Sequence, residues 1–198
     1  MFRSLIPALA ALAIALPGLA SAETVRLRGT VDTVEGDTVT MTTLSGETVT
    51  FDMAPDYALM VYTAITPADL KEGDFLSIPS IPGADGSKVA LSINVFPEEM
   101  RGTGEGERPW DMTDDSLMTN ATIGTITAAP DGNVLAVTYE GVEEPIVVPA
   151  EAPITRFAPD PERRLVPGDK AIVFTEVEGD TATGTFAGVS ADGTLPPV

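Results

Sequence analysis

Cysteine and histidine are both absent from this sequence. Without thiolate or imidazole there is no ordinary zinc site, no c-type haem attachment, no blue-copper centre and no Ser-His or Cys-His nucleophile. No disulfide can form either, so stability has to come from core burial, strand pairing and a bound ion if there is one. Basic residues are scarce: 11 Lys and Arg stand against 30 Asp and Glu, a formal charge of -19. Such a surface repels phosphate backbones and anionic lipid heads, which argues against nucleic acid as a partner. With one tryptophan and three tyrosines there is no evident aromatic platform for sugars.

Long apolar runs are also missing after the first twenty or so residues. Residues 1–22 place Arg3 near the amino end, an apolar stretch from Leu5 to Leu19, and Ala20-Ser21-Ala22 before Glu23. This is the pattern of a cleavable export signal; an uncleaved anchor fits the small-residue ending less well. The mature product is expected without a membrane span, in the periplasm or secreted, and the lack of a cysteine after the signal removes the usual site of a lipid anchor. Loss of Arg3 leaves ten basic residues against 30 acidic ones, a formal charge of -20.

What remains is rich in Thr, Val and Gly and alternates with period two. Val25, Leu27, Gly29 and Val31 share one parity, as do Val39, Met41 and Thr43, and Val49, Phe51 and Met53. Turn signals at Glu35-Gly36-Asp37 and Ser45-Gly46 separate these runs, which predicts an antiparallel meander. Residues 54–65 are less regular and predict a short strand or turn. Thr66 and Pro67 open a helical turn that closes at Gly73, followed by strands at Phe75–Ile78 and Lys88–Phe96. The five principal strands predict a small closed or nearly closed barrel.

Leu70, Gly73 and Asp74 recur 95 positions later as Leu165, Gly168 and Asp169. At the same offset Gly124-Thr125-Ile126 matches Gly29-Thr30-Val31, Val134 falls on Val39, Gly141 on Gly46 and Phe157 on Tyr62. Agreement at one offset across several positions predicts a tandem duplication. The second unit reads as strands at Asn133–Tyr139, Pro145–Val148 and Ala152–Phe157, a helical turn from Asp160 to Leu165, and a closing hairpin of Ala171–Thr175 and Thr181–Phe186. The expected organisation is all-β: a first barrel over 23–96, an ordered Gly/Trp/Asp-rich connecting segment over 97–120, a second barrel over 121–190, and a loose tail over 191–198.

Within this frame Asp69-Leu70-Lys71-Glu72-Gly73-Asp74, the glycine-started first strand and the DG or GD turns resemble a bacterial exported domain of unknown function with an oligonucleotide-binding-like barrel. Both units resemble it, over most of 25–96 and 121–190, with Arg164–Asp169 replacing the motif in the second. The resemblance implies fold and compartment and supplies no catalytic residue.

The connecting segment holds most of the candidate chemistry. Asp111, Asp114 and Asp115, with Glu105 and Glu107, are the candidate carboxylate ligands for calcium, although their spacing does not reproduce an EF-hand loop and a solvated acidic turn is the plainer reading. Arg101, Arg108, Trp110 and Met112 are the candidate surface for an unknown protein or peptide partner, against the plainer reading that Trp110 covers a core edge. Gly102–Gly106 lacks the Lys-Ser or Lys-Thr of a phosphate loop. Glu105 and Glu107 admit a carboxylate-dependent hydrolase only through their separation across a sugar. Phe51, Tyr57 and Tyr62 read as core rather than as a stacking platform. Met53, Met60, Met100, Met112 and Met118 read as packing rather than as thioether ligands. The expectation is an exported, non-enzymatic binding or structural module; the alternatives are a calcium-binding protein and, behind it, a hydrolase.

Overall fold

The structure, a computed structural model, describes residues 23–130, 132–179 and 181–198. The expected export signal, residues 1–22, lies outside the described residues. The chain is all-β, and alternation becomes burial as expected: Val31, Val39, Met41, Phe51 and Met53 all point inward.

The first meander is β1 (Glu23–Glu35), β2 (Thr38–Thr43) and β3 (Thr48–Ala64), paired antiparallel in that order. Next come β4 (Phe75–Pro82), β5 (Lys88–Ala90), β6 (Ile93–Val95) and β7 (Gly106–Pro109). The second meander is β8 (Leu117–Ala129), β9 (Gly132–Tyr139) and β10 (Val142–Pro149), followed by β11 (Ile154–Pro159), β12 (Lys170–Glu178) and β13 (Thr181–Ser190).

Closure is where the structure departs from the expected boundaries. The first meander does not close with β4–β6. β12 pairs with β1, β13 pairs with β12, and β13 runs parallel to β3, giving a closed five-strand barrel made from both ends of the chain. Its core joins Val31, Val39, Met41 and Phe51 to Leu165, Val173 and Val189. A second closed circuit of pairings runs β4–β5–β10–β9–β8 and returns to β4. It packs Leu70, Leu76 and Ile78 from the first half against Ile123, Leu135 and Ile146 from the second. β11 joins the circuits, antiparallel to the end of β3 and parallel to β6, and β7 lies on the outer side of β8. The ranges 23–96 and 121–190 are therefore not self-contained barrels.

The repeated Leu-x-x-Gly-Asp motif sits at the two crossings. Gly73 has φ of +90° and Gly168 of +93°, a left-handed turn that glycine takes without steric cost. Gly73 N–H donates to Ile123 O at 2.8 Å and Ile123 N–H to Asp74 O at 2.9 Å; Gly168 N–H and Val31 N–H make the matching pair with Val31 O and Asp169 O. Each aspartate also accepts the backbone N–H three residues before it, Lys71 for Asp74 and Val166 for Asp169. Leu70 enters the core of the second circuit and Leu165 the core of the first.

Other local expectations change for identifiable reasons. β3 runs through residues 54–64, because it pairs with β2, β13 and β11 in succession. Lys88–Phe96 breaks into β5 and β6, which pair with β10 and β11 respectively. Thr66 does open a turn, a 3-10 turn over Pro67–Asp69 in which Asp69 accepts the Thr66 N–H. At Asp160 the side chain accepts the N–H groups of Glu162 and Arg163, and the chain turns there without a helix. Gly124 occupies the register skip of β8 that Asp32 occupies in β1, so the first strands match through Val31 and Ile123, 92 positions apart, rather than through the two glycines.

The tail is packed rather than loose. Pro196 and Val198 are buried, and Val198 joins Met60, Tyr62, Phe157 and Ile172 in a third apolar cluster. Arg28 Nε donates to Val198 O at 2.8 Å, and Ser92 hydroxyl donates to Pro197 O. Two prolines carry no period that a sequence reading can use; the outer barrel face that receives them exists only once the barrel has closed.

Candidate ligand cavity

Alternate residues of β12 turn away from the barrel core, so Ile172 and Phe174 face outward while Ala171 and Val173 face in. The same outer surface receives Phe186 from β13, Tyr62 from β3 and Phe157 from β11. Connecting segment 97–116 crosses over this surface and leaves a cavity of about 320 Å³ between them.

Two groups of aromatic rings line the cavity. In one, Trp110 and Phe174 have ring centroids 6.2 Å apart, and Phe174 meets Phe186 edge-on at 5.0 Å. In the other, Phe96 meets Phe157 at 4.8 Å and Phe157 meets Tyr62 at 5.2 Å. Burial pushes the Tyr62 hydroxyl well above the usual tyrosine range, so it stays protonated. Met100 and Met118 also line the cavity; Met60 packs in the cluster of Tyr62 and Phe157 without lining it, and Met53 packs in the first barrel core.

The polar groups of the wall are unbalanced. The Arg26 guanidinium lies 3.9 Å from the Trp110 ring centroid and 5.4 Å from that of Phe174, and Arg108 lies 5.8 Å from Trp110. Arg108 donates to Gly104 O at 2.8 Å, and among the described residues no carboxylate forms an ion pair with it. Burial, and then the charge of Arg26, push the Arg108 guanidinium below its usual range. Three buried polar atoms of this wall have no hydrogen-bond partner among the described residues: Arg26 Nε, Trp110 Nε1 and Asn120 Oδ1. Asn120 Nδ2 donates to Thr103 O at 2.9 Å, which leaves the amide oxygen as the unsatisfied end. An orphaned buried polar atom costs about 1–3 kcal/mol, and these three have essentially no accessible surface, so their cost is carried by the packing around the cavity.

The connecting segment is held down by Asp111 and Ser116. Asp111 accepts from Arg28 at 2.8 Å and from Arg26 at 3.4 Å. Ser116 donates its hydroxyl to Trp110 O at 2.9 Å and accepts the N–H groups of Met112 and Thr113. Burial raises the Asp111 carboxyl, but the hydrogen bond and charge of Arg28, then of Arg26, outweigh it and hold the group below its ordinary 3.8. The folded value being depressed, this anchoring is fully present above about pH 4 and is lost as pH falls through the lower folded value. Below pH 3.8 the emission of Trp110, the one tryptophan of the chain, is expected to shift to the red, and Asp111→Asn to remove that acid step.

The five candidate metal ligands do not converge. Asp111 is committed to two arginines, Asp115 accepts the Thr113 hydroxyl at 2.9 Å, and Glu105 accepts the Glu140 N–H at 3.1 Å. Glu107 pairs with Lys88 and accepts from Thr119, and Asp114 is exposed. Among the described residues no group of three or more such side chains is placed to hold a metal ion. The four candidate partner residues divide as well. Trp110 and Arg108 line the cavity; Met112 lies on the adjoining groove beside Arg28 and Val198; Arg101 points elsewhere, to Glu98 and Gly73 O. Arg26, Phe174, Phe186 and Asn120 went unnoticed in the sequence. A signal for Arg26 existed, in that Arg26 and Arg28 sit on the outward parity of β1 in a chain with few cations.

A second polar cluster lies apart from the cavity. Lys88 bridges Glu107 and Glu144, the latter at 2.6 Å, and Tyr139 donates to Glu144 at 3.0 Å. Lys88→Met strands two carboxylates in a half-buried position and is expected to cost about 2 kcal/mol in urea unfolding at pH 7. An unchanged midpoint would mean the bridge contributes nothing.

No protein family, curated protein or solved structure matches this chain. Among the described residues no helix is long and apolar enough to cross a membrane.

Proposed function

We propose that this chain is an exported, non-enzymatic binding module whose ligand occupies the cavity beneath Trp110. The observation that carries this reading is a cavity of about 320 Å³ lined by Trp110, Phe96, Phe157, Phe174 and Phe186, with the guanidinium groups of Arg26 and Arg108 beside the Trp110 ring. Export rests on the leader pattern of residues 1–22, and the oligonucleotide-binding-like relationship on the Asp69–Asp74 motif. A binding role fits the chemistry better than catalysis. Histidine and cysteine are absent, and Glu107, one of the two acids considered for hydrolysis, is neutralised by Lys88. With a formal charge of -19, and its two cavity arginines enclosed rather than laid along a groove, the protein is poorly suited to a nucleic-acid strand.

Since Trp110 is the single tryptophan, its emission reports on the cavity alone. Titration with the neutral apolar probe N-phenyl-1-naphthylamine is expected to quench Trp110 in a saturable, one-to-one manner, with Phe174→Ala weakening the effect. A linear, non-saturating change, or one indifferent to Phe174→Ala, removes the cavity as the binding site.

A further inference from the structure

The preceding reading leaves access to the cavity open, and the following rests on it. Tyr62, Phe157, Phe174 and Phe186 lie on one outer surface of the first barrel, and two segments cover them. The connecting segment is the firm cover: β7 pairs with β8, and Ser116 and Asp111 fix the turn that carries Trp110. The tail is the light one. Its last backbone bond to the barrel wall is from Ala191 N–H to Tyr62 O, at 2.8 Å. Among the described residues two hydrogen bonds tie residues 195–198 to the rest of the chain, Arg28 Nε to Val198 O at 2.8 Å and the Ser92 hydroxyl to Pro197 O.

Residues 195–198 also partition the spaces on this face. Val198 and Arg26 line both the cavity and the adjoining groove of about 550 Å³, while Leu195 and Pro197 line both that groove and a third space of about 450 Å³ beside Thr66 and Ile154. Arg26 is fixed between Asp111 and the Trp110 ring. Val198 is thus the part of the partition that can leave.

The tail has the composition of a detachable arm. It turns at Asp192-Gly193, where the Asp192 carboxylate accepts the Thr194 N–H and hydroxyl. Pro196 and Pro197 have no N–H with which to join a sheet ladder, and their fixed φ lowers the conformational entropy lost on docking. Val198 is the plug, seated among Met60, Tyr62, Phe157 and Ile172. We propose that residues 195–198 are a strap that closes the cavity, and that a ligand enters when the arm lifts from the Asp192-Gly193 turn and Val198 leaves its seat. Closure and binding then compete, so the observed affinity is the intrinsic one reduced by the fraction of molecules with the strap open.

A chain ending at Thr194, compared with the full chain at pH 7, tests this through Trp110 emission. Loss of the strap is expected to raise acrylamide quenching of Trp110 and to tighten N-phenyl-1-naphthylamine by about tenfold. A synthetic peptide of residues 191–198 should reverse both effects at about millimolar concentration, the level that a short tether supplies. Ser92→Ala lies outside the cavity wall, removes one of the two anchors in the full chain and should tighten the probe by about threefold. Thermal melts establish that each variant is folded, and Ser92→Ala decides the matter if the shortened chain does not fold. If the altered chains bind the probe no more tightly than the full chain, the strap is overturned while the cavity remains a binding site. Acrylamide quenching unchanged by the truncation overturns it as well. If no chain binds the probe, the binding reading is lost and the strap with it.

Discussion

Residues 23–96 produced alone are expected to stay unfolded, residues 97–198 likewise, and an equimolar mixture to regain the circular dichroism of the intact protein. The reason is closure. Strand β1 loses β12, and β3 loses β13, so the first meander is left with unpaired edges and with Val31, Met41 and Phe51 facing water. The second meander loses β4 and β5 and exposes Ile123, Leu135 and Ile146 in the same way. A unit of about 70 residues is near the lower limit for an independent core even when complete, and neither half is complete. A cooperative unfolding transition in isolated 23–96 would falsify the exchanged pairing and restore the sequential two-barrel arrangement that the repeat first predicted. The intact chain, by contrast, is expected to unfold in one transition, since each circuit holds strands from both halves.

Leu165→Ala should lower stability by about 2–5 kcal/mol, the range for removing a buried leucine from a core that cannot collapse around the gap. Leu165 is 3% exposed and packs in the first barrel among Val31, Val39 and Met41, although it belongs to the second half of the chain. The substitution should therefore couple to Val31→Ala in a double-mutant cycle and add independently to Leu70→Ala, whose side chain lies in the other core. Additivity with Val31→Ala, or coupling to Leu70→Ala, would place Leu165 in the wrong circuit. Measurement by urea unfolding at neutral pH keeps the Asp111 anchor out of the comparison.

Both experiments address the property that sequence reading got wrong. The period-two pattern shows which face of Val39-Met41 or Phe51-Met53 is buried, because side-chain parity is local, but it is silent on which distant strand lies alongside. β4 carried a hint: Phe75 to Ser80 are all buried, both parities together, as a strand covered on both faces requires. The Leu-Gly-Asp repeat was visible for a local reason as well, since a left-handed glycine and an aspartate bonding three residues back are sequence-level devices. That those devices sit at crossings between two circuits is a non-local fact.

The site divides along the same line. Trp110 and Arg108 stood out by rarity and by their place in a compositional break, and both line the cavity. Asp111 stood out as a metal ligand because an acid in an acidic run resembles one; in the fold its charge is taken by Arg28 and Arg26, brought over from β1. Arg101 and Met112 share the segment but not the cavity, because the turn closed by Ser116 points Met112 to the neighbouring groove and Glu98 holds Arg101 away.

Composition and near neighbours along the chain carry the all-β class, the strand faces, the missing thiolate and imidazole chemistry, the acidic surface and the two crossing motifs. Which strands close which barrel, where the tail packs, and the meeting of Arg26, Trp110, Asn120 and four phenylalanines around one cavity belong to the folded arrangement. The physical reason is that residues more than a hundred positions apart become neighbours through strand pairing, and an unsatisfied hydrogen bond is defined by everything around it.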